Sequence, residues 1–131
     1  MATQDLWGEL SLEENIRTPV TILREQAALL GEKTRQVLQG DVRVHHNVGL
    51  NGFEAEFFIT APALDNYAYQ LFSIQYPLAM YPLKIIATIT GRPPRECPTE
   101  EKFVNELGII LSHAKVKKII SSLVAQSKAN N

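Results

Sequence analysis

A chain of 131 residues, 45% hydrophobic and 21% charged, has the length of one ordinary domain and enough apolar side chains to bury a core without disulfides. That composition excludes a disordered polymer, and a formal net charge of −1 argues against nucleic acid or another polyanion as the natural partner of the chain as a whole. With one cysteine, Cys97, no apolar run near the roughly 20 residues of a bilayer span, and a start (MATQDLWGEL) without the features of a secretory signal, a single cytoplasmic domain over 1–131 is expected, with no membrane partner.

The charge is distributed unevenly. Residues 1–16 carry Asp5, Glu9, Glu13 and Glu14 without a Lys or Arg, whereas residues 112–131 carry Lys115, Lys117, Lys118 and Lys128 without an acid. Opposite ends of this kind can meet within one chain or between two copies, although solvated ion pairs contribute little by themselves. Trp7, Leu10, Leu12 and Ile16 make residues 1–16 a docking arm or an extra helical turn.

Thr18-Pro19 opens the first element. Threonine can cap free backbone N–H groups, and proline at the first helical position gives up no needed donor. Val20, Leu23, Ala27, Leu30, Thr34 and Val37 then recur at helical spacing, widened by Ile22 and Leu29, so a helix is expected up to Gln39, stopped by Gly40. Its apolar stripe suits packing on a sheet; an intermolecular coiled coil would need more heptads.

Asp41 to Leu50 and Phe53 to Thr60 flank Asn51-Gly52, the dipeptide suited to a two-residue type I′ hairpin. That turn pairs Leu50 with Phe53, Val48 with Ala55, His46 with Phe57 and Val44 with Ile59 on the core face. Arg43, His45 and Asn47 then lie on the polar face with Thr60, Phe58 and Glu56. A third strand is expected from Tyr67 to Tyr76 and a fourth from Leu83 to Thr90, with Leu83, Ile85, Ala87 and Ile89 facing inward. Gly91-Arg92-Pro93-Pro94-Arg95 ends the fourth strand in a loop.

Pro98-Thr99-Glu100-Glu101 marks a helix start with acids in the first turn, followed by the stripe Phe103, Leu107, Ile110 and Ala114. Val116, Ile120 and Leu123 follow a drifted phase, which implies a bend near Ser112-His113, and residues 126–131 read as a frayed tail. The expected fold is α+β: an N-terminal helix, a four-stranded and mostly antiparallel meander sheet, and one long or two short C-terminal helices, all helices on one sheet face.

No glycine-rich phosphate loop, nucleophile elbow or metal-protease motif is present, so no catalytic residue, cofactor or metal is assigned. Adjacent His45 and His46 point to opposite faces of a strand and cannot chelate one ion together. His45 with Glu56, beside Arg43, forms a secondary candidate, a polar site able to move a proton, with His113 as a third metal ligand in a weaker variant. Cys97 stands before a helix start, where a thiol can be activated and could pair with His113, but Glu96, Glu100 and Glu101 oppose ionisation. Arg92-Pro93-Pro94-Arg95 reads as a stiff connection, and the C-terminal lysines as the wet side of a helix; nucleic-acid or regulatory binding through that helix is a further alternative.

The features left over are apolar. Strict alternation places Tyr67, Tyr69 and Leu71 opposite Phe72, Ile74 and Tyr76, and joins them with Phe58 and Ile86 as a patch on the otherwise polar sheet face. Tyr76, Leu78, Met80 and Tyr81 sit in an apolar, proline-bracketed connection that needs cover, from its own core or from a partner. The expected function is a non-catalytic protein-interaction module, a homo-oligomer or a small adaptor or chaperone-like protein, binding a polypeptide (itself or another) through an apolar sheet face.

Overall fold

The computed structural model describes residues 3–12, 16–47, 49 and 51–130. Helix α1 spans Pro19–Lys33, and the Thr18 hydroxyl accepts from the Thr21 N–H at 3.0 Å as its cap. It ends six residues before the expected stop at Gln39. Thr34 is the cause: its Oγ1 donates to the Leu30 carbonyl at 2.9 Å and accepts from the Leu38 N–H at 3.1 Å. Arg35 and Gln36 follow in the left-handed region, at φ 52° and 66°, and turn the chain back under the helix. Leu38 is thereby buried where the helical reading buried Val37. Thr34→Val, which keeps the shape and removes the hydroxyl, is expected to cost about 1–2 kcal/mol in urea unfolding, while Thr34→Ser costs well under about 1 kcal/mol.

Strands β1 (Gln39–Asn47), β2 (Gly52–Ala61), β3 (Tyr67–Pro77), β4 (Leu83–Ile86) and β5 (Arg95–Cys97) form one antiparallel meander in the order β1-β2-β3-β4-β5. The α+β architecture agrees with the sequence reading; the sheet has five strands, not four. Strand β4 is shorter than expected because Thr88–Thr90 coils into a 3-10 turn, and β5 begins immediately after Pro93-Pro94, where donors return. Its three residues pair back on β4, with Leu83 opposite Cys97 and Ile85 opposite Arg95.

The hairpin register differs from the two-residue turn by four positions. His46 lies opposite Phe53, not Phe57, and Val44 opposite Ala55, not Ile59. The connection therefore runs through 48–51. Val48 and Leu50, whose expected partners were Ala55 and Phe53, lie outside the described residues. Asn51 adopts the left-handed conformation, φ 49°, but Gly52 is already in the strand. Gly52 is needed for another reason: a Cβ there would lie 2.9 Å from the Pro77 Cα and closer still to the Tyr76 carbonyl oxygen. Because a shift of four is even, the face assignment of β2 is unchanged, and Ala55, Phe57 and Ile59 are buried toward the helices.

A bulge between Phe57 and Phe58 changes β3 more deeply. Phe57 pairs with Phe72 and Phe58 with Gln70, so Leu71 is the extra residue. The phase of the strand is reset there, and Tyr69 and Leu71 fall on the same side as Phe72, Ile74 and Tyr76.

Helix α2 (Glu100–Leu111), capped by Thr99, and helix α3 (Ala114–Ala129) are separated at the expected bend. Ser112 Oγ donates to the Gly108 carbonyl at 2.6 Å, and His113 Nδ1 accepts from the Lys115 N–H at 3.1 Å as the cap of α3. The expected frayed end is instead helical to Ala129, with Ser127 buried and the Asn130 side-chain amide donating to the Ala63 carbonyl at 2.8 Å. Asn131 lies outside the described residues. Ile22, Leu23 and Ala27 of α1, Phe103, Leu107 and Ile110 of α2, and Val116 and Leu123 of α3 close the core over one sheet face.

Candidate protein-interaction site

The expected apolar patch on the open sheet face is dispersed by the bulge. Leu71 is 3% exposed and Tyr76 8%, both within the core beneath the helices. Tyr69 packs against that core at its margin, and Tyr67, half exposed, borders a cleft of about 450 Å³ with Leu64, Ile119, Leu123 and Gln126 beside α3. Phe58 and Ile86 remain on the open face, each partly buried. The Arg43 guanidinium lies 4.1 Å above the Phe58 ring and so covers it with a cation–π contact.

The rest of the open face is largely polar, with pairs both along and across strands. Arg43 Nε meets Asp41 Oδ2 at 2.9 Å, and Gln75 Nε2 donates to Glu54 Oε2 at 3.3 Å. His45 and Glu56 do meet diagonally, Nε2 to Oε1 at 2.6 Å, on the flat of the sheet with the His45 side chain 56% exposed. The clefts of about 590, 470 and 450 Å³ are all lined by other residues. His113, engaged as a helix cap, does not join them, and among the described residues no group of three His, Cys, Asp or Glu is gathered for a metal. Arg92 and Arg95 both converge on Glu106, at 3.3 and 3.4 Å, which ties the proline-rich connection to α2.

Cys97 is fully buried on β5, and burial, with Glu106 beside it, pushes its thiol up from the usual range, the reverse of what a nucleophile requires. In the connection after β3, Leu78 projects into solvent at 78% exposure, Met80 takes a left-handed φ of 78° and is partly buried, and Tyr81 packs back on the core. The Tyr81 hydroxyl is buried without a hydrogen-bond partner among the described residues, and its pKa is pushed up to about 12, chiefly by that burial and then by Glu100 and Cys97. The raised value means the folded state holds the proton longer than the unfolded chain. Stability from this group is therefore complete below about pH 10 and is lost as pH rises toward about 12. Tyr81→Phe is expected to reduce the alkaline loss of stability in pH-dependent unfolding, the buried Cys97 and Tyr76 contributing the rest, and, at pH 7, to leave stability unchanged or raised by about 1 kcal/mol.

The apolar surface that does remain open lies on the helix side. Between the C-terminal half of α1 and the α2–α3 corner, a groove of about 470 Å³ reaches down to the sheet's core face, with the nearly buried Phe57, Ile59 and Leu71 as its floor. Leu29 and Leu30 form one wall, and Leu111, Val116 and Ile120 the other. The charged side chains on its rim are Lys33 and Lys117, and its lining contains no acid. Sequence alternation identified the floor residues Phe57 and Ile59 as core. It could not show that α1 and the α2–α3 corner leave a groove above them, since that depends on how those helices pack on the sheet.

The second apolar feature is the chain before α1. Leu6, Trp7, Leu10, Leu12 and Ile16 are all exposed, Trp7 at 80%, on a segment without helix or strand among residues 3–12. The Trp7 N–H donates to Asp5 Oδ1 at 2.9 Å, and Gly8 follows with φ 68°. Of the two expectations for this stretch, a docking arm or an extra helical turn, the helical turn is not formed among residues 3–12. No helix is long and apolar enough to cross a membrane among the described residues. Compared with models of known protein families, with curated proteins and with solved structures, the chain matches none.

Proposed function

We propose that this chain is a non-catalytic, cytoplasmic protein-interaction module that holds an apolar polypeptide segment on the helix-side face of its sheet, as a homo-oligomer or a small adaptor. One observation carries the reading: a groove of about 470 Å³ lies open between α1 and the α2–α3 corner, with the nearly buried Phe57, Ile59 and Leu71 at its floor and the half-exposed Leu29 on its wall. A groove of that size, apolar at the base with cations on the rim, suits aliphatic and aromatic side chains from a segment that also carries acids. The open sheet face supports the reading less, because Asp41 with Arg43 and His45 with Glu56 are paired with one another and the Phe58 ring lies under Arg43.

The test is fluorescence anisotropy of a labelled, reduced and alkylated polypeptide titrated with the protein. Saturable binding is expected, weakened at least about tenfold by Leu29→Glu, which places a charge at a half-exposed wall position. Absence of binding, or equal binding to the variant, removes the proposal.

A further inference from the structure

The groove has a matching segment within the same sequence. Residues 1–16 combine the exposed Leu6, Trp7, Leu10 and Leu12 with Asp5, Glu9, Glu13 and Glu14 and no base, while the groove is apolar with Lys33 and Lys117 on its rim and no acid in its lining. Apolar area and charge are complementary. A cavity of roughly 150 Å³ accepts a benzene-sized ring, so about 470 Å³ takes an indole and an adjoining leucine side chain.

Within one chain the arm does not fill the groove: Leu6, Trp7, Leu10 and Leu12 are all exposed, Trp7 at 80%, and the chain enters α1 at the end remote from the groove. Arg17 pairs with Glu25 at 2.8 Å and reaches Glu100 at 4.0 Å, which fixes the chain at the N-terminal ends of α1 and α2. The groove lies at the opposite ends of both helices, against Leu29, Lys33 and Leu111. From Pro19 to Leu29 the helix rises about 15 Å, and the arm would have to reverse direction to follow it. A second copy presents the same groove, and two copies can exchange arms reciprocally in a closed two-fold dimer.

We propose that the groove between α1 and the α2–α3 corner receives the N-terminal arm of a second copy of this chain, with Trp7 as the anchor and Asp5 and Glu9 facing Lys33 and Lys117. This rests on the proposed function, because it names the polypeptide that the groove holds. The left-handed Gly8 and the Asp5–Trp7 hydrogen bond place the indole at the apex of a bend, which suits a side chain that enters first.

Trp7 is the only tryptophan, so its emission reports the arm directly. Emission of the full chain is expected to shift to shorter wavelength as concentration rises, in step with a rise from monomer to dimer mass by light scattering. Two reversed chains then test who supplies the arm: one with Lys33→Glu and Lys117→Glu, the other with Asp5→Lys and Glu9→Lys. Each alone is expected to dimerise at least about tenfold more weakly than the natural chain, and an equimolar mixture to regain the natural affinity, because each arm then meets a groove of opposite charge. These surface substitutions leave the core untouched, and far-ultraviolet circular dichroism checks the fold. Three results overturn the proposal: a monomer with solvated Trp7 at every concentration, a blue-shifted emission independent of concentration (the arm docked on its own chain), or a dimer in which Trp7 stays solvated. If one of these occurs while the labelled polypeptide still binds in a Leu29-dependent way, only the identity of the occupant is lost; loss of that binding as well removes the proposed function.

Discussion

Phe57→Ala is expected to destabilise the domain by about 3–5 kcal/mol, close to half of what a domain of this size commonly has. The ring is 2% exposed and stacks on Phe72 across the β2–β3 pair, centroids 5.2 Å apart and planes within 10°. It stands next to the bulge and beneath the groove, so truncation removes its own buried area, the stacking contact and part of the groove floor at once. Surrounding helices held by their own caps collapse only partly into the void. Urea and thermal unfolding check this, with a fall in melting temperature of roughly 10 °C or more. A loss under about 1 kcal/mol would mean that the ring is not a core element. Leu29→Glu, by contrast, is expected to change stability by less than about 0.5 kcal/mol, so the binding role of the groove can be separated from its contribution to the fold.

The second large effect is expected at Gly40. A Cβ built there lies 2.5 Å from both Cα and Cβ of Ala27, so α1 rests directly on the backbone of β1. Gly40→Ala forces the helix and the strand apart, and about 1–3 kcal/mol is lost, with more for Gly40→Val. The colliding atoms include backbone, which no rotamer change can move. Gly108 is the internal control. It sits within α2 with nothing inside 4 Å of a built Cβ, and Gly108→Ala is expected to stabilise by about 0.5–1 kcal/mol through helix propensity alone. Opposite signs at two glycines, measured in the same denaturant series, distinguish close approach from a general glycine effect. If Gly40→Ala is neutral, α1 does not pack on β1 as described.

Two of the glycines that the sequence offers as punctuation serve another purpose in the structure. Gly40 reads as a helix stop and Gly52 as half of a hairpin turn; in fact Thr34 ends the helix, and both glycines lie in strands at points of close backbone approach. The local signals that held are those whose cause is local: the Thr18-Pro19 and Thr99 helix starts, the alternation of β2, the break before α3. Of the candidate interaction residues, Leu71 and Tyr76 are core, Tyr67 and Tyr69 border α3, and Leu78 projects freely. The diagonal contact of His45 with Glu56 was legible because a shift of four preserves which residues share a face.

By itself the sequence determined the class of the fold, the capped helix starts, which face of β2 is buried and that the chain's apolar excess needs cover. These follow from periodicity and capping, which act within a few residues. Only the tertiary structure decided where that excess goes. A one-residue bulge at Leu71 reverses the face of half a strand, and a hydroxyl at Thr34 shortens a helix. The packing of α1 against the α2–α3 corner leaves a groove over Phe57 and Ile59. The Thr34 and Ser112 hydroxyls act within four residues but compete with a helical periodicity that continues past them. The bulge and the groove, in contrast, depend on contacts between residues far apart in the chain, and a single phase slip carries every side chain beyond it to the other side of the sheet.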